Sequence, residues 1–455
     1  MVNSSDWVAI VTTSALCAVC WRRGAHCIAV LLLFSSVVYF LPSVILLFDG
    51  SSLEKVTALR TVGMSVVNKV VAILTVVISI LLLVRGVPLK ASIRPMYAAL
   101  SMMLLLGMLT IDTVIEQQRL FNTLSLIGML VLVSAGANAL GPDGPFQKTQ
   151  IGGGLFFLAH LWLLLLFSVS VAFYEIFYGL AWASFYSVDN LLVVRASSIF
   201  FNPNLFGLFC AMMVVIFAFH WHKSLTTLSN PVPLSGIFIA GLGIYLASSR
   251  SLGYLLLIFL IAAGMLLPQG VRSRFKPALI YTLSLLMAAT LSLIWWRIDS
   301  SDTAEHFWVL AMRLLDSPVQ ILAMCLNLLN IPLSGDLGEL FLKPETIVAV
   351  EGRFMGGERD SGLLTTYDDS GWLGMAAILF FWLYALSVGV RAYMHRRNIE
   401  AAYALATVGF CFAVGALMRY QVYPVWIWIA LMLAPCFAFW RIQMRSSIAP
   451  NRAQQ

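Results

Sequence analysis

Long apolar stretches separated by short polar segments recur along this chain. A helix needs about 20 consecutive apolar residues to cross the hydrocarbon core of a bilayer. The apolar run at 7–20 is short for a span and is followed by the basic Trp21-Arg22-Arg23, so we interpret it as an interfacial segment, with a short extra span as the alternative. The remaining stretches predict twelve transmembrane helices, at roughly 27–48, 62–84, 96–115, 121–140, 154–178, 205–221, 233–248, 252–268, 277–296, 372–394, 401–418 and 423–441.

Composition supports the same class. Hydrophobic residues make up 60% of the chain and charged residues 11%, against about 25% charged in ordinary globular domains. A membrane barrel would show segments of about 10 residues with alternating polarity, which is not the pattern here. Cys17 and Cys20 form a CxxC without the second ligand pair that a zinc site needs, and most of the seven cysteines lie in apolar runs. We therefore expect an all-α polytopic membrane protein with buried thiols and no disulfide framework.

Lysine and arginine in the loops predict the orientation. The basic segments all alternate onto one side, and cytoplasmic loops carry an excess of these residues. Both termini are then cytoplasmic, and the pI of about 9.1 reflects topology rather than nucleic-acid binding. The expected organisation is a cytoplasmic or interfacial N-terminus at 1–26, helices 1–9 at 27–296, an extracytoplasmic loop at 297–371, helices 10–12 at 372–441 and a cytoplasmic tail at 442–455.

The loop at 297–371 stands out from the rest of the chain. It has five basic and twelve acidic residues, a formal charge of −7, although the whole chain carries +7. Its length and polarity exclude a transmembrane span. Because the orientation places it outside, together with the 179–204 segment and the Ser248-Ser249-Arg250 and Arg419-Tyr420 turns, polar features gather on one face.

Arginines in three of these outward segments are candidate ligands for a phosphate or carboxylate. Arg195 comes shortly before Asn202-Pro203-Asn204, where the asparagines serve either as ligands or as helix caps beside a snorkelling arginine. Arg250 occupies a tight outward turn, against the usual charge bias, and has serine hydroxyls beside it. Arg419 lies in the last outward turn. Each has the structural alternative of a helix-end residue at the membrane interface.

The long loop supplies candidates for acid–base chemistry and sugar contacts. His306 is the only histidine in the outward segments. The charged, glycine-rich stretch at 351–362 is a candidate for a flexible segment that closes over a ligand. The alternative is a solvated loop with local ion pairs. The candidates are Glu358, Asp360 and His306 for catalysis, and Arg353, Arg359 and Tyr367 for binding.

The order and sidedness of these features resemble the bacterial O-antigen ligase and polysaccharide polymerase family. The resemblance rests on the outward Arg195 before Asn-Pro-Asn, the outward Ser-Arg at 249–250, the long loop and the Gly-Trp-Leu-Gly at 371–374. It covers roughly residues 150–395 and implies a GT-C-like fold. It also implies that Arg195 and Arg250 engage the pyrophosphate of a lipid-linked donor.

One departure bears on the branch of the family. Ligases carry a histidine shortly before the tenth helix, where this chain has Asp360-Ser361-Gly362. The resemblance is therefore closer to the polymerases. It implies a metal-independent, inverting glycosyltransferase without a cofactor, in which arginines stabilise the leaving pyrophosphate and Asp360 or Glu358 orients the acceptor hydroxyl.

The implied partners are an undecaprenyl-pyrophosphate-linked glycan donor, a glycan acceptor and membrane lipids, with a chain-length regulator and a flippase as further candidates and no nucleic acid. The implied location is the bacterial inner membrane. Two alternatives stay open: a ligase acting on lipid A core or protein, and a transporter of lipid-linked glycans. A transporter would show repeat symmetry and broken helices at mid-membrane, and Lys69, Asp112 and Glu175 are the few ionisable residues in or near the spans.

Overall fold

The computed structural model describes residues 66–84, 94–111, 117–141, 150–177, 184–188, 191–200, 202–224, 231–247, 362–417 and 423–452, with a few isolated helical residues at 11, 28–29, 31–33 and 266. Statements about the structure below concern these residues. The predicted spans at 252–268 and 277–296 and most of the long acidic loop lie outside them.

The described ranges form nine helices and one short hairpin. The helices are α1 Val66–Val84, α2 Pro95–Ile111, α3 Gln117–Ala139, α4 Gln150–Phe177, α5 Pro203–Ser224, α6 Pro231–Ala247, α7 Gly362–His395, α8 Ile399–Leu417 and α9 Tyr423–Arg452. Most bounds lie within a few residues of those predicted from hydropathy. The exceptions are α7, which begins ten residues before the predicted 372, and α9, which continues eleven residues beyond the predicted 441.

The hairpin is an addition to the expected all-helical fold. Strands β1 (Ser184–Val188) and β2 (Leu191–Arg195) pair antiparallel, with Val188 opposite Leu191 and Ser184 opposite Arg195. Both strands are rich in aromatic, Val and Leu residues, and the Asp-Asn between them in sequence is a turn-forming pair. Hydropathy predicts only a loop for this segment, because an apolar strand of five residues is too short to be recognised in a search for spans of about 20 residues.

Helix packing divides the described part into two groups that meet along α8 and α9. In one group α7 packs along α2 and α8, and α9 packs along α3, while α5, α6 and α4 pack together in the other. The groups are joined where the Tyr403 hydroxyl of α8 donates to the carbonyl oxygen of Ala218 on α5 (3.3 Å) and where the rings of Tyr403 and Phe219 meet. Trp382, Trp426 and Trp428 are fully buried, and the ring of Trp428 joins α9 to α5 by packing against Phe209.

Helix α7 bends sharply at Gly371. The φ of this residue is 61° and its ψ is −167°, a backbone conformation available almost only to glycine. The segment before the bend, 362–370, is helical, although its threonines and aspartates had predicted a loop leading into a span. It folds as a helix because Thr366, Asp369 and Ser370 are buried against neighbouring helices rather than exposed to water.

Five described helices are long and apolar enough to cross a membrane: Arg119–Ala139, Leu158–Glu175, Pro203–Trp221, Thr365–His395 and Val425–Gln443. Shorter apolar helices pack beside them. Exposed leucines and phenylalanines such as Leu163, Phe167, Phe380 and Leu383 face outward from these helices, as lipid-facing residues do. The chain is thus a helical membrane protein.

Candidate functional site

The segment that follows Arg195 runs from the hairpin directly into the protein interior. Arg195 is the last residue of β2, and the next three residues, Ala196, Ser197 and Ser198, are at most 1% exposed. Ser198 begins a single 3-10 turn (Ser198–Phe200) with a positive φ of 52°, which is uncommon for a residue other than glycine. The backbone beside Arg195 is therefore held in a defined and strained conformation.

A buried carboxylate holds this turn in place. Glu175, near the end of α4, is fully buried, and its two carboxylate oxygens accept hydrogen bonds from the backbone N–H of Ser197 at 3.0 and 2.9 Å. One of them also accepts from the N–H of Ser198 at 2.7 Å. The Ser198 hydroxyl in turn donates to the carbonyl oxygen of Ser168 at 2.6 Å. Hydrogen bonds to an ionised group are among the stronger ones in proteins, so Glu175 fixes the turn firmly to α4.

A second bond joins this segment to the end of α6. The N–H of Ala196 donates to the carbonyl oxygen of Leu246 at 2.9 Å. Ala196 is adjacent to Arg195, and Leu246 precedes Arg250 by four residues. A main-chain hydrogen bond therefore links the stretch that contains Arg195 to the end of the helix that precedes Arg250.

Aromatic packing connects the same segment to the start of α9. The ring of Phe200 meets that of Trp428 edge-on, with centroids 5.7 Å apart, and also packs against Phe206 and Phe209 of α5. Trp428 lies five residues after the first residue of α9, and Arg419 is four residues before that helix starts. The turn after Arg195 thus contacts helix ends that flank both other arginine-bearing turns.

The described end of α8 lies beside the middle of α7, on the C-terminal side of the bend. Gly415, two residues before the end of α8, lies against the indole ring of Trp382 on α7. Trp382 is eleven residues beyond Gly371, which at a rise of about 1.5 Å per residue corresponds to about 16 Å along the helix. The described end of α8 therefore stops short of the level of the bend. Helix α9 begins near that level, because the ring of Phe437 stacks on that of Tyr384 and the two residues lie about equally far along α9 and α7 from Tyr423 and Gly371.

The two asparagines around Pro203 have clear local roles. The side-chain oxygen of Asn202 accepts from the N–H of Asn204 at 2.8 Å and of Leu205 at 3.4 Å, and the carbonyl oxygen of Asn202 accepts from Phe206. This is an N-cap with proline at the first helical position, the alternative that the sequence had left open. Asn204 is half-buried in the first turn of α5.

A second polar cluster lies at the bend in α7. The Asn122 amide donates to a carboxylate oxygen of Asp369 at 3.0 Å, and the hydroxyls of Thr123 and Ser370 are 3.0 Å apart. All four side chains are buried, and they link α3 to the segment before the bend. Asp369 is thereby tied to α3 rather than directed to solvent.

Tyr367, a predicted binding residue of the long loop, lies in the segment of α7 just before the bend. Its ring meets that of Trp372 with centroids 4.8 Å apart, so the pair brackets Gly371. Trp372 is 69% exposed and Tyr367 is partly buried. The pair presents aromatic surface at the bend, where it suits either a sugar face or the membrane interface.

The remaining candidates from the sequence lie outside the described residues: Arg250, His306, Arg353, Glu358, Arg359, Asp360 and Arg419. For Arg195 the structure gives the backbone but not the side chain. Within the described ranges, no three His, Cys, Asp or Glu side chains come together as a metal site.

The buried polar residues Glu175, Asp369 and Ser370 make contacts in the structure that the sequence does not predict. Glu175 was noted only as one of the few ionisable residues near a span, although a carboxylate at the end of an apolar helix is costly and therefore a signal in itself. Asp369 and Ser370 were taken as loop residues. Their signal was weaker, because nothing local shows that Asn122 and Thr123, far away in sequence, supply their partners.

Comparison of the chain with protein-family models, with curated proteins and with solved structures found no match.

Proposed function

We propose that this protein is a glycosyltransferase that polymerises oligosaccharide repeat units carried on undecaprenyl pyrophosphate. In this proposal it has twelve transmembrane helices in a GT-C-like arrangement, lies in the bacterial inner membrane with both termini in the cytoplasm, and works at the outer face. The donor is a lipid-linked glycan and the acceptor is a hydroxyl of another glycan.

The observation that carries the proposal is the hydrogen bond from Ala196 to Leu246. It joins the residue that follows Arg195 to a residue four positions before Arg250. The loop charges predict that both arginines lie on the outward face. Glu175 and Phe200 hold the same turn against α4 and α9. A pyrophosphate group carries several negative charges and is bound well by convergent guanidinium groups, which form bidentate hydrogen bonds with phosphate oxygens.

Such a site would act mainly on the leaving group. When an acceptor hydroxyl attacks the anomeric carbon, its proton passes to a base, for which Asp360 and Glu358 are the candidates. The bond to the pyrophosphate oxygen breaks, and negative charge grows on the departing group. Fixed positive charges in a region with little water stabilise that developing charge without a metal ion. A direct displacement inverts the anomeric configuration. The free energy comes from the activated donor, which agrees with the lack of a nucleotide-binding motif in the sequence.

The end of α8, which stops short of the bend in α7, supports a donor that remains in the membrane. Gly415 of α8 lies about 16 Å along α7 from the bend at Gly371. A polyprenyl chain stays among the lipid tails, so its pyrophosphate must be bound near the membrane surface rather than far above it. Arg419, in the turn between α8 and α9, then serves as the third arginine, and the long acidic loop covers the site and supplies Asp360 or Glu358 to orient the acceptor.

A transporter of lipid-linked glycans is the second candidate, favoured by the broken helix α7. Discontinuous helices form substrate sites in many transporters, but near the middle of the membrane. Here the bend at Gly371 lies beside Gly107 in the last turns of α2 and beside Asn122 in the first turns of α3. Because the break is near the helix ends, the enzyme is the better interpretation.

Deletion of the gene in its host separates these functions. Loss of a polymerase leaves surface polysaccharide with a single repeat unit and no ladder of longer chains. Loss of a ligase leaves polymer that is made but not attached to its acceptor, and loss of a transporter leaves lipid-linked units on the cytoplasmic side. A normal ladder after deletion would refute the polymerase.

Point variants then test the site. Arg195→Ala and Arg250→Ala should each abolish complementation of the deletion, because either change removes a charge from the pyrophosphate site. Arg397→Ala is the matched control: Arg397 is exposed in the short connection between α7 and α8, at the opposite end of these helices, and its loss should have no effect. Full complementation by both Arg195→Ala and Arg250→Ala, at normal protein levels, would remove the pyrophosphate role.

A further inference from the structure

Glu175 is an unusual residue for its position. It lies two residues before the end of α4, where the partial negative charge of the helix C-terminus disfavours a carboxylate. It is also fully buried at the end of an apolar span. A buried charge in such a segment carries a large desolvation cost and is retained where it has a specific task.

The contacts of Glu175 show what that task is. Its carboxylate accepts from two consecutive backbone N–H groups, those of Ser197 and Ser198, at 2.7–3.0 Å. Successive N–H groups around a residue with positive φ form a concave anion-binding site, and here the protein's own carboxylate is bound there. The glutamate therefore stabilises the strained turn two and three residues after Arg195.

We propose that Glu175 is the positioning residue for Arg195 in donor binding. The inference rests on the proposed function. Glu175 holds the turn on one side and the Ala196–Leu246 bond holds it on the other, so the backbone that carries Arg195 is anchored at a fixed place. Glu175 does not touch the donor. It acts through the backbone, so its loss lets Arg195 move relative to the pyrophosphate, and a displacement of about 1 Å can cost on the order of 100-fold in activity.

The test measures binding of undecaprenyl pyrophosphate to the purified full-length protein in detergent. Glu175→Gln keeps the size of the side chain but removes the charge and turns an amide donor toward two N–H donors. We expect it to weaken binding about tenfold or more, while Glu175→Asp, which keeps the charge, restores part of the affinity. Equal binding by Glu175→Gln and the unsubstituted protein would overturn the inference.

A double-variant cycle separates positioning from general stability. If Glu175 acts through Arg195, Glu175→Gln weakens binding strongly in the unsubstituted protein but little further in the Arg195→Ala background. A general structural defect would weaken binding by the same factor in both backgrounds and so contradict the inference. If Arg195→Ala itself leaves binding unchanged, the proposed donor site is wrong, which is a different result from a failure of the Glu175 inference alone.

A measurement without any variant covers the case in which Glu175→Gln does not fold. Hydrogen–deuterium exchange on the unsubstituted protein reports on the amides of Ser197 and Ser198 directly. Held by Glu175, they should exchange as slowly as the amides inside α5. Complete exchange at the earliest labelling time would mean that the carboxylate does not hold the turn.

Discussion

The contact between α2 and the bend of α7 makes a sharp prediction for Gly107→Ala. A Cβ atom on Gly107 would overlap the carbonyl oxygen of Ser370 and would lie 3.1 Å from the backbone nitrogen of Gly374. Both are main-chain atoms, so no rotation of a side chain relieves the overlap. Either α2 or the bend of α7 has to move.

The size of the effect follows from a comparison with a second helical glycine. For Gly409 in α8, none of the described residues has an atom within 4 Å of a Cβ placed there. Alanine is preferred to glycine in a helix interior by about 1 kcal/mol, and this gain applies to both substitutions. It cancels in the comparison, which leaves the overpacking cost of about 1–3 kcal/mol at Gly107 alone.

The assay is unfolding of the purified protein in detergent, followed by the loss of folded protein on heating or on titration with a denaturing detergent. Gly409→Ala should match or slightly exceed the stability of the unsubstituted protein, and Gly107→Ala should fall below Gly409→Ala by the overpacking cost. If Gly107→Ala were as stable as Gly409→Ala, the close approach of α2 to the bend would be wrong.

Three further predictions use the same assay. Asn202→Ala should lower stability by about 1 kcal/mol through loss of the α5 cap, and Asn202→Asp should retain it; equal stability of both would contradict the capping role. Asn122→Ala and Asp369→Ala should be non-additive by about 0.5–3 kcal/mol, because each removes the partner of the other; simple additivity would contradict their hydrogen bond. Phe200→Ala should cost about 3–5 kcal/mol and also weaken binding of undecaprenyl pyrophosphate, because the ring packs the Arg195 turn against α9; unchanged binding would show that this packing does not support the site.

Helix positions could be predicted well from the sequence, because membrane insertion imposes a strong and simple rule. An apolar stretch of about 20 residues predicts a transmembrane helix, and the bounds of α3, α4 and α8 differ from those predicted by only a few residues. The same rule failed at α7. Burial of Asp369 and Ser370 depends on partners in α3 that are distant in sequence, and hydropathy counts such residues as loop.

The site could be predicted only in outline. Loop charge indicated that Arg195 and Arg250 share a face, but not that the chain beside one is bonded to the chain near the other. That link is a main-chain hydrogen bond from Ala196 to Leu246, and main-chain bonds between distant segments leave no pattern in side-chain identity. The role of Glu175 was hidden for the same reason, since its partners are backbone N–H groups.

The positive φ of Ser198 was equally out of reach. Glycine or asparagine would have signalled a left-handed residue, whereas serine does not. The conformation is maintained by its surroundings: Glu175 accepts from its N–H, and the carbonyl oxygen of Ser168 accepts from its hydroxyl. A strained residue held from two sides beside a candidate ligand is the kind of feature that only the folded structure reveals.

The most direct test of the proposed activity uses the purified protein and one defined undecaprenyl-pyrophosphate-linked repeat unit. We predict products with two or more repeat units and release of undecaprenyl pyrophosphate, formed without nucleotide or added metal. This activity should be lost in Arg195→Ala but not in Arg397→Ala. Unchanged donor with the folded unsubstituted protein, or elongation at the normal rate by Arg195→Ala, would contradict this prediction.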